Sequence, residues 1–321
     1  MKAIVQDRYG SADVLELREV AEPTVGPRDV LVRVRAAGVD RGAWHLMAGE
    51  PYAVRLGTGL RAPRQPIRGG ELAGVVQRVG AEVTGFVPGD EVFGSGSGTF
   101  AEYAAVREDR LAPKPAGLTF PEAAAVPVSG VTALQALRDQ ARLQPGQRVL
   151  VIGASGGVGS FAVQVAKAFG GHVTGVCSAG KVDAVRALGA DEVIDYAQRD
   201  VTDGTQHFDV VLDIGGGRPL RGLRRALAPR GTLVVVGGEG GGRWLGMSRQ
   251  LGAVLLSPFV RQRLRMLVSV VRTPDLVALT ELIDRGTVRP LVDRTFPLAA
   301  APDAVRALVA GTVTGKVVVT L

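Results

Sequence analysis

The sequence predicts an α/β fold in which a doubly wound parallel sheet is joined to a second, β-rich unit. Three observations point to it. From about Phe120 short apolar runs alternate with helical segments; before that, strand patterns broken by Gly and Pro dominate; and the last residues, "GKVVVTL", return to strand.

Each element follows from local pattern. "DVLVRVRAAGV" (29–39) and "ELAGVVQRVG" (71–80) alternate apolar and polar residues at period two, and "VGPRD" and "VPGDEV" supply turns. "TFPEAAAVPVSGVTALQAL" (119–137) predicts a helix, because Thr119 suits an N-cap and Pro121 and Glu122 a first turn. Strands are then expected at "RVLVIG" (148–153), "HVTGVC" (172–177), "EVIDY" (192–196), "DVVLDI" (209–214) and "GTLVVVGG" (231–238), with helices from Gly157, Lys181 and Pro219 between them. Near-continuous apolar strands of this kind belong to a parallel sheet covered on both faces. "TPDLVALTELIDRG" predicts a further helix, with Thr273 as cap, Pro274 at its first position and Gly286 beyond its end. The expected division is a discontinuous β-rich domain, residues 1–121 and 274–321, around a cofactor-binding domain, residues 122–273.

The chain has 321 residues, 46% hydrophobic and 21% charged, an ordinary composition for a globular protein of two domains. A lone cysteine, Cys177, rules out an intramolecular disulfide and any site of several thiolates, and the three histidines, His45, His172 and His207, are far apart in sequence. The net charge of +7 is compatible with nucleic acid or an anionic ligand. Yet the densest clusters, "RPLRGLRRALAPR" (218–230) and "RQRLR" (261–265), lack interleaved aromatics, so they read as solvated faces and no nucleic-acid partner is expected. No run approaches about 18 consecutive apolar residues, and "MKAIVQDRYG" does not build a signal peptide. A soluble, cytoplasmic protein without membrane attachment is therefore expected.

"RVLVIGASGGVGSFAVQVAKAFG" carries the chemistry. Four of residues 153–159 are glycine, placed between a strand and a helix. In that context Gly153, Gly156 and Gly159 permit a tight turn, close approach of a pyrophosphate and close helix packing, while Ser155, Gly157 and Val158 complete the loop whose amides face the anion. The G-x-x-G-x-x-G spacing is a variant of the dinucleotide fingerprint and lacks the Lys-Ser/Thr ending of a P-loop. A carboxylate at the end of the second strand would hold the ribose hydroxyls of NAD. Here that strand ends "GVCSAGK", so Ser178 and Lys181 leave room and positive charge for a 2'-phosphate, and NADPH is the expected cofactor. The alternative for Lys181 is an exposed residue opening a helix.

At this point the chain resembles the medium-chain dehydrogenase/reductase superfamily, in its zinc-independent quinone oxidoreductase-like branch. The resemblance rests on "AAGVD" (36–40), "GGELAGVVQRVG" (69–80), "VPGDEVFG" (87–94), "GTFAEYAAV" (98–106), "AAAVPVSGVTALQAL" (123–137), "GASGGVG" (153–159) and "ALGADEVIDY" (187–196), in the family's order. It implies a GroES-like catalytic domain, a Rossmann domain and a cofactor cleft where they meet. Where zinc-dependent members place a Cys ligand and the His of Gly-His-Glu, this chain has Asp40 and Gly70, so no zinc is expected. Glu71 survives from that motif as a structural carboxylate.

The resemblance implies hydride transfer to a quinone or a polarised C=C bond. Asp40 is a candidate for orienting ribose or relaying a proton, the alternative being a loop-capping aspartate. Tyr52 is a candidate donor to the developing oxyanion, and Trp44 either stacks on a flat substrate or packs in the core. His45 reads as structural. Thr132, Tyr196, Gly237, Gly238 and the backbone of Phe259 and Val260 are further expected cofactor contacts, each with a purely structural alternative. "AVLLSPFV" (253–260) resembles the strand through which relatives join as homodimers. Two rivals stand beside this reading: a zinc-independent alcohol or aldehyde reductase, and an NADPH-binding redox sensor with little turnover.

Overall fold

Strand Asp29–Val39 buries alternate apolar residues, and it organises the β-rich unit. It pairs antiparallel with Glu71–Val79, with Tyr103–Arg107 and with the C-terminal strand Lys316–Thr320, whose Val317 stands opposite Val39. The resulting seven-stranded sheet runs Val292–Pro297, Lys316–Thr320, Asp29–Val39, Glu71–Val79, Glu91–Ser95 and Leu111–Pro113, with Tyr103–Arg107 branching from Asp29–Val39. Phe93, Phe100, Leu72 and Leu111 are fully buried in this unit. The computed structural model describes residues 1–237, 242, 244 and 246–321.

Two units emerge: Met1–Val131 with Val270–Asp284 and Pro290–Leu321, and Thr132–Ser269 with Arg285–Arg289. The first therefore runs ten residues past 121, taking in the rest of the helix Phe120–Ala124 and the first five residues of Pro127–Gln135. Thr119 caps the first of these helices in a full capping box: its hydroxyl accepts from the Glu122 amide, and the Glu122 carboxylate accepts from the Thr119 amide. Helix Thr273–Asp284 starts at Thr273 itself, whose hydroxyl donates to the Leu111 carbonyl at 2.8 Å.

The second unit is a six-stranded parallel sheet in the order Glu192–Asp195, His172–Cys177, Arg148–Ile152, Phe208–Asp213, Leu227–Val235, Arg263–Met266. Helix Gly157–Ala168 begins at the expected residue, and Val182–Ala187 and Leu220–Arg225 follow the later strands. One expectation is corrected. "AVLLSPFV" is not a strand: Ala253 to Leu256 close the helix Ser248–Leu256, Ser257–Phe259 form a 3₁₀ turn, and the edge strand comes later, at Arg263–Met266. Apolar residues at helical spacing, with Ala253 buried and Leu255 exposed, fit a half-buried helix better than a buried strand.

Candidate active site

The parallel strands change direction of progression at Arg148–Ile152. From it the chain proceeds one way through His172–Cys177 and, later, the other way through Phe208–Asp213. In such sheets ligands bind beyond the carboxyl ends of the strands flanking this switch. Both flanking strands are followed within two residues by glycine. Gly153 follows the first with φ +88°, and a Cβ on it would stand 2.8 Å from the Gly215 amide nitrogen beyond the second. A Cβ on Gly237, after the next strand, would stand 2.2 Å from the Ile214 carbonyl oxygen. The three strand ends thus approach one another more closely than side chains would allow.

Gly156 is the N-cap of Gly157–Ala168 and brings no side chain to cap it. The Ser160 amide makes the helix's first bond, to the Gly156 carbonyl, so the amides of Gly157, Val158 and Gly159 have no partner within the helix. A Cβ on Gly159 would stand 2.0 Å from the Gly153 carbonyl oxygen, while one on Gly156 would meet only that atom, at 3.5 Å. The turn is therefore closed behind Gly159 and open in front of Gly156. Ser155 is buried beside it. A diphosphate fits this cradle: its charge complements the positive end of the helix and the free amides.

At the end of the second strand Ser178 is half-buried and caps nothing with its side chain, and Lys181 closes the 3₁₀ turn Ala179–Lys181. Asp195 stands level with Cys177 on the neighbouring strand, and its carboxylate accepts from the Ala197 amide at 3.0 Å. Burial, and secondarily Asp195, pushes the Cys177 thiol above its ordinary value, so it stays protonated inside the sheet. Tyr196 is largely exposed at the same edge, and its amide donates to the Cys177 carbonyl. Thr132 is buried in the helix Pro127–Gln135. Gly238 lies outside the described residues. Phe259 and Val260 stand elsewhere: they precede the edge strand, whose other end, Met266, is level with Val235. It is Leu267 that leaves at the carboxyl edge, its amide donating to the Val235 carbonyl.

In the β-rich unit Asp40 caps the helix Arg41–Ala48, its Oδ1 accepting from the Ala43 amide at 2.8 Å. Its Oδ2 lies on the side of Gly70, where a Cβ would come within 3.8 Å. Trp44, one turn on, packs against the unit's core and edge-on to His45, and the His45 Nδ1 pairs with the Glu50 carbonyl at 2.7 Å. The Tyr52 ring is half-buried, with the Arg55 guanidinium 4.8 Å from its centroid. Glu71 is fully buried; one oxygen accepts from Lys316 and the other from the Val128 amide at 2.9 Å. Burial is the main influence on its carboxyl and raises its pKa, and Asp40 adds to that, against the pull of Lys316. Among the described residues no three His, Cys, Asp or Glu side chains are grouped to hold a metal ion.

Sequence reading missed three features of the crevice. The run Gly215–Gly217 follows the strand next to the glycine turn, with positive φ at Gly216 and Gly217; three glycines directly after an apolar run were the available signal. Asp213, fully buried at that strand's end, pairs with Arg249, and burial raises its carboxyl pKa. Gln250 donates to the Gly237 carbonyl at 3.1 Å. Arg249 and Gln250 sit on the helix Ser248–Leu256, ahead of the four residues, Ala253 to Leu256, that were expected to be a strand.

Fold and crevice together define an oxidoreductase built around a nicotinamide dinucleotide site. The profile described as "Alcohol dehydrogenase GroES-like domain" matches residues 26–116, and that described as "Zinc-binding dehydrogenase" matches residues 188–319. The chain belongs to the medium-chain dehydrogenase/reductase superfamily, in keeping with its quinone oxidoreductase branch. It is 33% identical to the mitochondrial NAD(P)H oxidoreductase of Mus musculus, over 99% of this chain and 89% of that one. It is 34% identical to the 2-methylene-furan-3-one reductase of Solanum lycopersicum, over 99% and 79%. Among solved structures, the quinone oxidoreductase of Coxiella burnetii superposes with TM-score 0.88 at 28% identity, covering 100% and 99% of the two chains. An NAD-dependent alcohol dehydrogenase gives 0.84 at 30%, covering 100% of both. The Escherichia coli quinone oxidoreductase complexed with NADPH gives 0.85 at 25%, also covering 100% of both.

Proposed function

We propose that this chain is a zinc-independent reductase that uses NADPH to reduce a quinone or an α,β-unsaturated carbonyl compound. The observation that carries the cofactor choice is the end of the second strand, where Ser178 and Lys181 stand and a carboxylate does not. A ribose 2'-phosphate there would meet the Lys181 ammonium, while the Asp195 carboxylate lies one strand away and is engaged by the Ala197 amide. Gly153, Ser155, Gly156, Gly157, Val158 and Gly159 hold the diphosphate, and Thr132, Tyr196 and Gly237 border the same ligand. The carboxyl edge near Leu267 replaces Phe259 and Val260 as the backbone that meets the nicotinamide end.

A reduced nicotinamide, when bound, supplies a hydride to the electron-poor carbon of the acceptor. What the protein adds is stabilisation of the charge that develops on the conjugated oxygen. Tyr52 donates its phenol hydrogen to that oxygen, and Trp44 offers an aromatic wall. Asp40 has one oxygen engaged by Ala43, so its role is to accept a hydrogen bond from ribose or to pass a proton through Oδ2. The likeness to the tomato furanone reductase and to the quinone oxidoreductases supports the acceptor class. The proposal includes a cytoplasmic homodimer with neither nucleic-acid nor membrane partner; no described helix is long and apolar enough to cross a membrane.

A second reading is an alcohol or aldehyde reductase, favoured by the likeness to an NAD-dependent alcohol dehydrogenase. One experiment separates them: oxidation of NADPH and NADH followed at 340 nm with 9,10-phenanthrenequinone, a simple enone and a simple aldehyde. The proposal expects NADPH to be preferred by at least tenfold in kcat/KM with quinone or enone, and Ser178→Asp with Lys181→Ala to invert the preference. Turnover confined to the aldehyde, or an NADH preference in the unaltered protein, overturns it.

A further inference from the structure

The two arginine-rich stretches singled out in the sequence are brought together by the fold. Helix Leu220–Arg225 ends beside the segment that enters the edge strand, and Arg221, Arg224, Arg225, Pro229, Arg261 and Gln262 line a cavity of about 330 Å³. All six lie within the parallel-sheet unit. Arg224 and Gln262 lock the two segments: the arginine Nε donates to the Gln262 side-chain oxygen at 2.9 Å, and the Gln262 amide donates back to the Arg224 carbonyl at 2.9 Å. Arg224 is thereby fixed by its Nε, and its two terminal amino groups remain for a ligand.

The charge here is not accounted for internally. Among the described residues, Arg221, Arg224, Arg225 and Arg261 form no salt bridge, and no carboxylate lines the cavity. The carboxyl end of the helix offsets about half a unit charge, so most of the four positive charges remain. Nothing in the lining suits a base: no aromatic ring is present for stacking. The volume is that of a small-ligand site, and convergent planar guanidinium groups match phosphate oxygens in paired fashion. The cavity also stands apart from the glycine turn. It sits where Arg225 and Gln262 lead into their strands, whereas the dinucleotide crevice lies where strands end.

We propose that this cavity is an anion site for a compact polyphosphate group, separate from the dinucleotide site and independent of the choice between NADPH and NADH. The probe is inorganic tripolyphosphate, titrated calorimetrically into the full chain at low ionic strength, with and without NADPH. One saturable site is expected in both conditions, weakening as salt is raised. Arg261→Gln, at an exposed position, and Arg224→Gln should each weaken it about tenfold or more. Arg224→Lys, which keeps the charge and loses the fork, should fall between. Arg78→Gln, in the other unit, should leave it within twofold, and none of these variants should change the NADPH oxidation rate more than twofold. The proposal is overturned if the cavity variants bind tripolyphosphate as the unaltered protein does. It is equally overturned if sulfate at matched ionic strength competes as well as tripolyphosphate, or if a single-stranded oligonucleotide binds the same arginines more tightly.

Discussion

Two glycines of one turn do different work, and single methyl groups separate them. Gly156 has extended backbone, φ −83° and ψ 178°, which alanine adopts freely, and only the Gly153 carbonyl oxygen lies within reach of its Cβ. Gly156→Ala should therefore leave the melting temperature within about 2 °C, since less than 1 kcal/mol is at stake, while intruding on the open front and weakening dinucleotide binding at least tenfold. Gly159→Ala instead drives a Cβ into backbone and should cost roughly 1–3 kcal/mol of stability, read as a lower urea midpoint. Asp191 is a residue-scale test of pH dependence. Burial alone would raise its carboxyl, but Lys167 and the Val173 amide outweigh burial and lower it. A depressed folded-state pKa contributes stability above the ordinary value of about 3.8, lost as pH falls through the folded value. Asp191→Asn should lower the melting temperature at pH 7 by about 2–4 °C, with the difference closing below pH 3.8. A constant difference down to pH 2.5 would contradict the assignment.

Between elements, the buried Glu71–Lys316 pair does what no local pattern could announce. It ties the C-terminal strand Lys316–Thr320 to Glu71–Val79, and through the Val128 amide to the helix Pro127–Gln135. Removing one partner strands a buried charge, at about 3–5 kcal/mol, so Lys316→Met should be severely destabilised. Since the Glu71 pKa is raised in the folded state, protonation relieves the stranded carboxylate: the deficit should be largest near neutral pH and shrink as pH falls toward 4.5. Glu71→Gln combined with Lys316→Met, keeping an acceptor for Val128, should recover most of the loss in urea titrations across that range. This pair also marks the limit of sequence reading. Strands and turns driven by nearest neighbours were legible: Asp29–Val39, His172–Cys177, the Thr119 N-cap and the glycine turn before Gly157 lie where period and capping chemistry put them. Glu71 meeting Lys316, Asp213 meeting Arg249, and the convergence of Arg224 with Gln262 are contacts across long stretches of chain, and no periodicity encodes them. The run 253–260, which closes the helix Ser248–Leu256 and makes the turn after it, reads as a strand in sequence because a short apolar run suits helix and strand equally, and only packing decides.

Across the whole molecule, the supply of metal-ligating groups bears on a property that the family name "Zinc-binding dehydrogenase" leaves open, and it supports the zinc-independent proposal. Tight zinc sites use several thiolates, imidazoles or carboxylates at tetrahedral geometry. This chain owns one cysteine, which is buried in a strand with its thiol pKa raised, and three histidines, of which His45 is engaged by the Glu50 carbonyl. At the positions where zinc-dependent relatives place Cys and His stand Asp40, occupied as a helix cap, and Gly70, which has no ligand atom. Glu71, the third member of that motif, is spent on Lys316 and Val128. A site at these positions would need the Asp40 cap and the buried Glu71–Lys316 pair to be dismantled. Dialysis against 1,10-phenanthroline, followed by removal of the chelator, should accordingly leave NADPH oxidation within about 20% of its starting rate. Elemental analysis of the dialysed protein should give far less than one zinc per chain, with the melting temperature unchanged. Loss of activity restored by stoichiometric zinc would show instead that Asp40 and Glu71 rearrange into a metal site, and would return the chemistry to the alcohol-oxidising side of the family.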